Sequence, residues 1–166
     1  MPKIFHKILC PIGFDSNSVA ALKFAHELAD PDESTLYLLH VVSVPRIEPI
    51  MLGPNPVLSE GIAERELERL VRQHLTVSTS YQIIARRGDP APVIVTVADE
   101  LKVDLIVMPT HGGQGIERMI LGSVAERVVR EARRPVLTIR LGSHASASEP
   151  KRNGRPRLAA DGFSPY

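Results

Sequence analysis

Short apolar runs alternate with amphipathic stretches along most of this chain, and the period of the pattern changes at each switch. Lys7 to Pro11 reads as a first buried strand. Asp15 or Ser16 can cap a helix reaching about Ala29, with Ala21, Phe24, Ala25 and Leu28 on its inner face and Pro31 just past its end. Thr35 to Val44, dense in Leu and Val, is a second strand. Pro45, Pro49, Gly53, Pro54 and Pro56 then break any regular pattern and predict an exposed loop. A second helix runs from about Ser59 to His74. Its buried stripe is Ala63, Leu67, Leu70, Val71 and His74, with Glu64, Arg65, Glu68, Arg69 and Arg72 outside. Thr79 to Ala85 is a third strand. Asp89 as N-cap and Pro90 at the first helical position open a third helix, with Val93, Ile94, Val97, Ala98 and Leu101 facing inward. Leu105 to Met108 is a fourth strand. After a glycine-rich loop, Gly122-Ser123 opens a helix to about Arg133, and Val136 to Arg140 is a fifth strand.

Five short apolar strands separated by helices predict an α/β fold: an open parallel sheet covered on both faces, with right-handed crossovers. Ligands of such sheets sit at the carboxyl ends of the strands, beside the topological switch point. The ends to inspect are Pro11-Ile12-Gly13, His40-Val41-Val42 and Met108 to Gly115.

Composition narrows the classes. The 166 residues, 43% of them hydrophobic, suit one globular domain with a real core. A net charge of +1 gives no strong field toward nucleic acid or a membrane surface, so neither is an expected partner. The six histidines show no metal-ligand spacing, so no metal site is predicted. The one cysteine, Cys10, lies in an apolar run and reads as a buried structural thiol, suited to a reducing compartment. No stretch reads as a signal peptide or membrane span, which gives a cytoplasmic expectation. Residues 141–166 shift to Ser, Ala, Pro, Gly and Arg and predict a disordered tail of net charge +2, inert or a weak polyanion-binding arm, leaving residues 1–140 as the domain.

The stretch from Met108 to Arg127 carries the candidate chemistry. Gly112, Gly113 and Gly115 let backbone amides approach a ligand, and Gly122 brings the chain close again. Ser123 opens a helix whose free amides and dipole favour an anion, and its hydroxyl can bond a phosphate oxygen. Ser123 to Glu126 also fits a capping box, in which serine serves helix stability alone. Spacing leaves both readings open. A Walker A loop is absent, as is a Gly-x-Gly-x-x-Gly turn after the first strand, so kinase-type phosphoryl transfer is not expected.

The chain resembles the universal stress protein family across residues 3–140. The resemblance rests on Lys7-Ile-Leu-Cys-Pro11, Ser16 to Leu22, Leu38-Leu-His-Val-Val42 and Ala98 to Met108. Above all it rests on Thr110-His-Gly112 followed by Leu121-Gly-Ser-Val-Ala-Glu-Arg-Val-Val-Arg130 and Arg134 to Arg140. One branch of that family binds ATP through Gly-x2-Gly-x9-Gly-Ser/Thr and the other does not. Gly112, Gly122 and Ser123 match this signature. Pro109 replaces its first glycine, and Gly13 stands where ATP-binding members usually carry an Asp, with Asp15 two residues on. The resemblance implies a flavodoxin-like, adenine-nucleotide-hydrolase-like sheet of order 3-2-1-4-5. It implies ATP or a related adenine nucleotide as a regulatory ligand, with room for Mg2+ or Mn2+ on the phosphates. Pro11, Ile12, Gly13 and Val41 would line the base and ribose end, with Met108 and Pro109 close by. Gly112, Gly115, Gly122, Ser123 and Val124 would hold the phosphates. A homodimer through Val136 to Ile139 is implied as well, and any hydrolysis would be slow, the protein being a binder rather than an enzyme. The alternative is a stress protein that binds no nucleotide and acts through its dimer surface, the 45–57 loop or the tail. A third reading, a hydrolase, needs His111 and Asp15 to converge.

Overall fold

The computed structural model describes residues 5–43, 60–75, 79–110 and 121–140. The expected 45–57 loop, the glycines at 112, 113 and 115, His111 and the tail lie outside them. The elements run β1 (Lys7–Pro11), α1 (Ser16–Leu28), β2 (Thr35–Val42), α2 (Glu60–His74), β3 (Ser80–Arg87), α3 (Pro90–Leu101), β4 (Leu105–Pro109), α4 (Ser123–Glu131) and β5 (Val136–Ile139). The five strands form one sheet in the order β3-β2-β1-β4-β5, every pairing parallel, as the resemblance implies.

Strand alternation divides the sheet between two cores. Ile8, Cys10, Leu36, Leu38 and Val107 pack under α1 and α2, against Leu22, Ala25, Leu67 and Leu70. Leu9, Tyr37, Leu39, Ile106 and Met108 point the other way, against Ile94, Val97 and Ala98 of α3 and Ala125 and Val128 of α4. Burial on both faces is why the central strands read as continuous apolar runs. Each fully buried Leu or Ile contributes about 1.5–3 kcal/mol of transfer free energy.

Differences from the sequence reading are local. The α1 stripe is Ser18, Ala21, Leu22 and Ala25, at helical spacing, so Phe24 falls off it and is 39% exposed. On α3, Ala91 joins the buried set, while Val93 and Leu101 pack at its margin. β3 extends to Arg87 because it pairs residue by residue with β2 as far as Val42. α4 stops at Glu131, and Ala132 leaves the helix in extended backbone. Gly88, between β3 and α3, has φ +148°, and a Cβ there would lie 2.8 Å from Val93 Cγ2, so this turn requires glycine.

Candidate functional site

β1 and β4 are neighbours, yet the chain leaves β1 toward α1 on one face and β4 toward α4 on the other. This divergence is the switch point, where the carboxyl ends of the two strands leave a crevice.

One wall is the β1–α1 turn. Pro11 and Ile12 are buried, so their side chains serve packing. The Ile12 amide donates to the Leu39 carbonyl at 2.8 Å, one step past the last β1–β2 pair. The Gly13 amide donates to Ser18 Oγ at 2.9 Å. Asp15 caps α1: its Oδ1 accepts the Ser18 amide at 2.9 Å, and its Oδ2 accepts the Ser18 hydroxyl at 3.2 Å. A Cβ on Gly13 would lie 2.7 Å from that Oδ2. The Asp15 carboxylate therefore occupies the space a side chain at position 13 would need, and glycine is what admits it. Val41, on β2 beside β1, is partly buried against the α3/α4 core.

The other wall is the end of β4. Met108 is buried in the α3/α4 core, so its side chain serves packing. The amides of Ile106 and Thr110 both donate toward β5, to Pro135 and Ile139 carbonyls at 2.9 and 3.0 Å. Alternate residues of a strand use the same side, so position 109 turns its nitrogen toward β1. The β1–β4 pairing ends at Leu9 and Ile106, so Pro109 takes no hydrogen bond from the sheet.

The chain returns from the glycine loop at Gly122, whose amide donates to the Thr110 carbonyl at 2.7 Å. This bond seats the start of α4 beside the end of β4. Gly122, with φ −69°, is the N-cap, and its carbonyl accepts the Glu126 amide at 2.9 Å. The capping-box expectation fails here. Ser123 is the first helical residue, one position too late to cap, and Gly122 at the cap has no side chain to offer. Glu126 faces Arg130 at 3.4 Å instead of reaching back. The first-turn amides, those of Ser123, Val124 and Ala125, therefore have no helical acceptor and, among the described residues, no capping side chain, and Ser123 is exposed. Such a terminus fits a phosphate group. Asp89 sits at the α3 N-cap as expected but makes no capping bond; its carboxylate accepts from Arg127 at 2.7 Å and ties the start of α3 to the middle of α4.

Of the predicted site residues, Pro11, Ile12, Gly13, Met108, Pro109, Gly122, Ser123 and Val124 come from the strand ends and helix start that meet at the switch point, with Val41 one strand away. Gly112 and Gly115 fall outside the described residues. The hydrolase pair cannot be assembled from the described residues, since His111 is not among them. Sequence reasoning placed His40 at a strand end to inspect but gave it no role; its Nδ1 lies 2.7 Å from the Ile12 carbonyl and its ring lies tilted against Phe14. The available signal was a lone polar residue at the carboxyl end of an apolar strand. Among the described residues no group of three or more His, Cys, Asp or Glu side chains could hold a metal ion, and no helix is long and apolar enough to cross a membrane.

Comparison with known proteins agrees with this fold. The model of the universal stress protein family matches residues 4–140. The universal stress protein MJ0531 of Methanocaldococcus jannaschii is 34% identical over 143 residues, covering 82% of this chain and 83% of that protein. The solved structure of MJ0577 superposes with a TM-score of 0.74 at 27% identity, covering 84% of this chain and 99% of that one. A universal stress protein from Archaeoglobus fulgidus, solved in complex with dAMP, shares the fold at 21% identity and a TM-score of 0.58, covering 82% and 98%. This chain is a member of the universal stress protein family.

Proposed function

We propose that this protein binds ATP or a closely related adenine nucleotide at the switch point, as a regulatory ligand rather than a substrate turned over quickly. The observation that carries the reading is the uncapped N-terminus of α4, with an exposed serine at its first position, held against the end of β4. Its amides and dipole suit the phosphates, with Gly122, Ser123 and Val124 as donors and Gly112 and Gly115 joining from the loop. The base and ribose would lie toward Pro11, Ile12, Gly13 and Val41. There the Asp15 carboxylate, overhanging Gly13, is an acceptor for sugar hydroxyls and repels phosphate, which orients the ligand. A dAMP complex in a relative of the same fold is consistent with this ligand class.

Mg2+ or Mn2+ would ride on phosphate oxygens, with no side chain of the chain assigned to it. The protein would act in the cytoplasm in a stress response, as a homodimer pairing through β5, whose outer edge has no strand beside it among the described residues.

The competing reading, an interaction protein without nucleotide, draws on Pro109 and Gly13. Both substitutions have local accounts that leave the phosphate end intact: proline loses no sheet bond, and glycine admits Asp15. Protein purified from cells, denatured and chromatographed, should release an adenine nucleotide. Release of none, with no heat on ATP titration, favours the competing reading.

A further inference from the structure

We infer that His40 is a positioning residue, one that fixes the β1–α1 turn for the ligand without itself touching it. The inference rests on the nucleotide reading above and names the side chain that shapes the base-and-ribose wall of that site.

His40 lies on β2, one residue past Leu39, the last β2 partner of β1. Its Nδ1 is 2.7 Å from the Ile12 carbonyl oxygen. A carbonyl can only accept, so Nδ1 carries the hydrogen, and in the neutral ring Nε2 keeps its lone pair. The Ile12 amide already donates to the Leu39 carbonyl. Both polar groups of Ile12 are thus held by β2, one by backbone and one by His40, at the point where β1 ends. The next residue is Gly13, whose amide is held by Ser18.

Phe14 follows with φ +60°, a left-handed conformation that aromatic residues rarely adopt and that persists only where the surroundings impose it. Its ring rests on His40, with centroids 4.3 Å apart and planes at 34°. One half-buried side chain therefore secures the residue before Gly13 by a hydrogen bond and the residue after it by ring contact. The conformation at Phe14 in turn sets where Asp15 turns back over Gly13.

The two contacts can be separated by substitution. His40→Asn keeps a short N–H donor near the Nδ1 position, and His40→Phe keeps a ring without a donor. The full chain and both variants are titrated with ATP calorimetrically. Thermal midpoints and the amide resonances of Gly13 and Phe14 are recorded for each. Loss of the bond to Ile12 is expected to weaken ATP binding roughly tenfold in His40→Phe and to shift both resonances. His40→Asn should stay within about threefold of the parent, the same bond being retained. Equal affinities in all three proteins overturn the inference. So does a loss of affinity that is equal in the two variants and follows their thermal midpoints, which marks a purely structural role. Failure of the parent chain to bind ATP overturns the nucleotide reading and this inference with it, whereas a binding parent with indifferent variants overturns this inference alone.

Discussion

Ser123 shows how one position along a helix changes what a side chain does. As an N-cap it would stabilise α4 by about 1 kcal/mol. As the first helical residue, exposed and without a capping bond, it leaves the adjacent amides open. Ser123→Ala should therefore change the unfolding free energy read from urea denaturation by no more than a few tenths of a kcal/mol while weakening ATP binding severalfold. A stability loss near 1 kcal/mol would restore the capping role. Cys10 is the opposite kind of residue: fully buried, its thiol is pushed up from 9.0 to about 12 because burial penalises the thiolate. The unfolded chain thus loses this proton at lower pH than the folded one. The stability Cys10 contributes is complete below pH 9 and declines between pH 9 and about 12, at roughly 1.4 kcal/mol per pH unit. Urea unfolding at stepped alkaline pH, compared with Cys10→Ala, reads this slope. In the native protein at neutral pH the thiol should resist disulfide reagents and react only on unfolding.

At the scale of elements, the strands and helices were legible because each is an apolar run or stripe bounded by Pro, Gly or a capping residue. The Ala63, Leu67, Leu70, Val71 stripe of α2 is an instance. The wiring between elements was not legible. The fold-back of Asp15 depends on φ +60° at Phe14, and the reach of His40 to Ile12 depends on the β1–β2 register, neither of which leaves a period in the sequence. The switch of Asp89 from capping α3 to pairing with Arg127 depends on where α4 lands. The register of β5 also supports a test of the proposed dimer. The carbonyls of Pro135 and Ile139 accept from β4, so Thr138, at the alternate position, turns its amide to the outer edge. Thr138→Pro should keep the β4–β5 pairing and lower the sedimentation mass from dimer to monomer. A dimer that survives this substitution unchanged does not pair through β5.

For the whole molecule, the two cores hold a sheet whose central strands diverge, and the divergence sets an anion-favouring helix start opposite a carboxylate-bearing turn. That polarity was half legible: the Gly122-Ser123 helix start could be read from the sequence, whereas the Asp15 acceptor over Gly13 could not. A ligand that bridges the two walls should raise the unfolding temperature with its concentration, since it binds the folded state alone. Gly122 has φ −69°, which a residue with a side chain can adopt, so Gly122→Val combined with Ser123→Ala alters the proposed phosphate wall without demanding a new backbone. The most direct measurement is a calorimetric titration of the parent chain and this double variant with ATP. Saturable binding to the parent at a stoichiometry of about one per chain, and its loss in the variant, is the expected outcome. No heat from the parent at millimolar ATP, or undiminished binding by the variant, would contradict it.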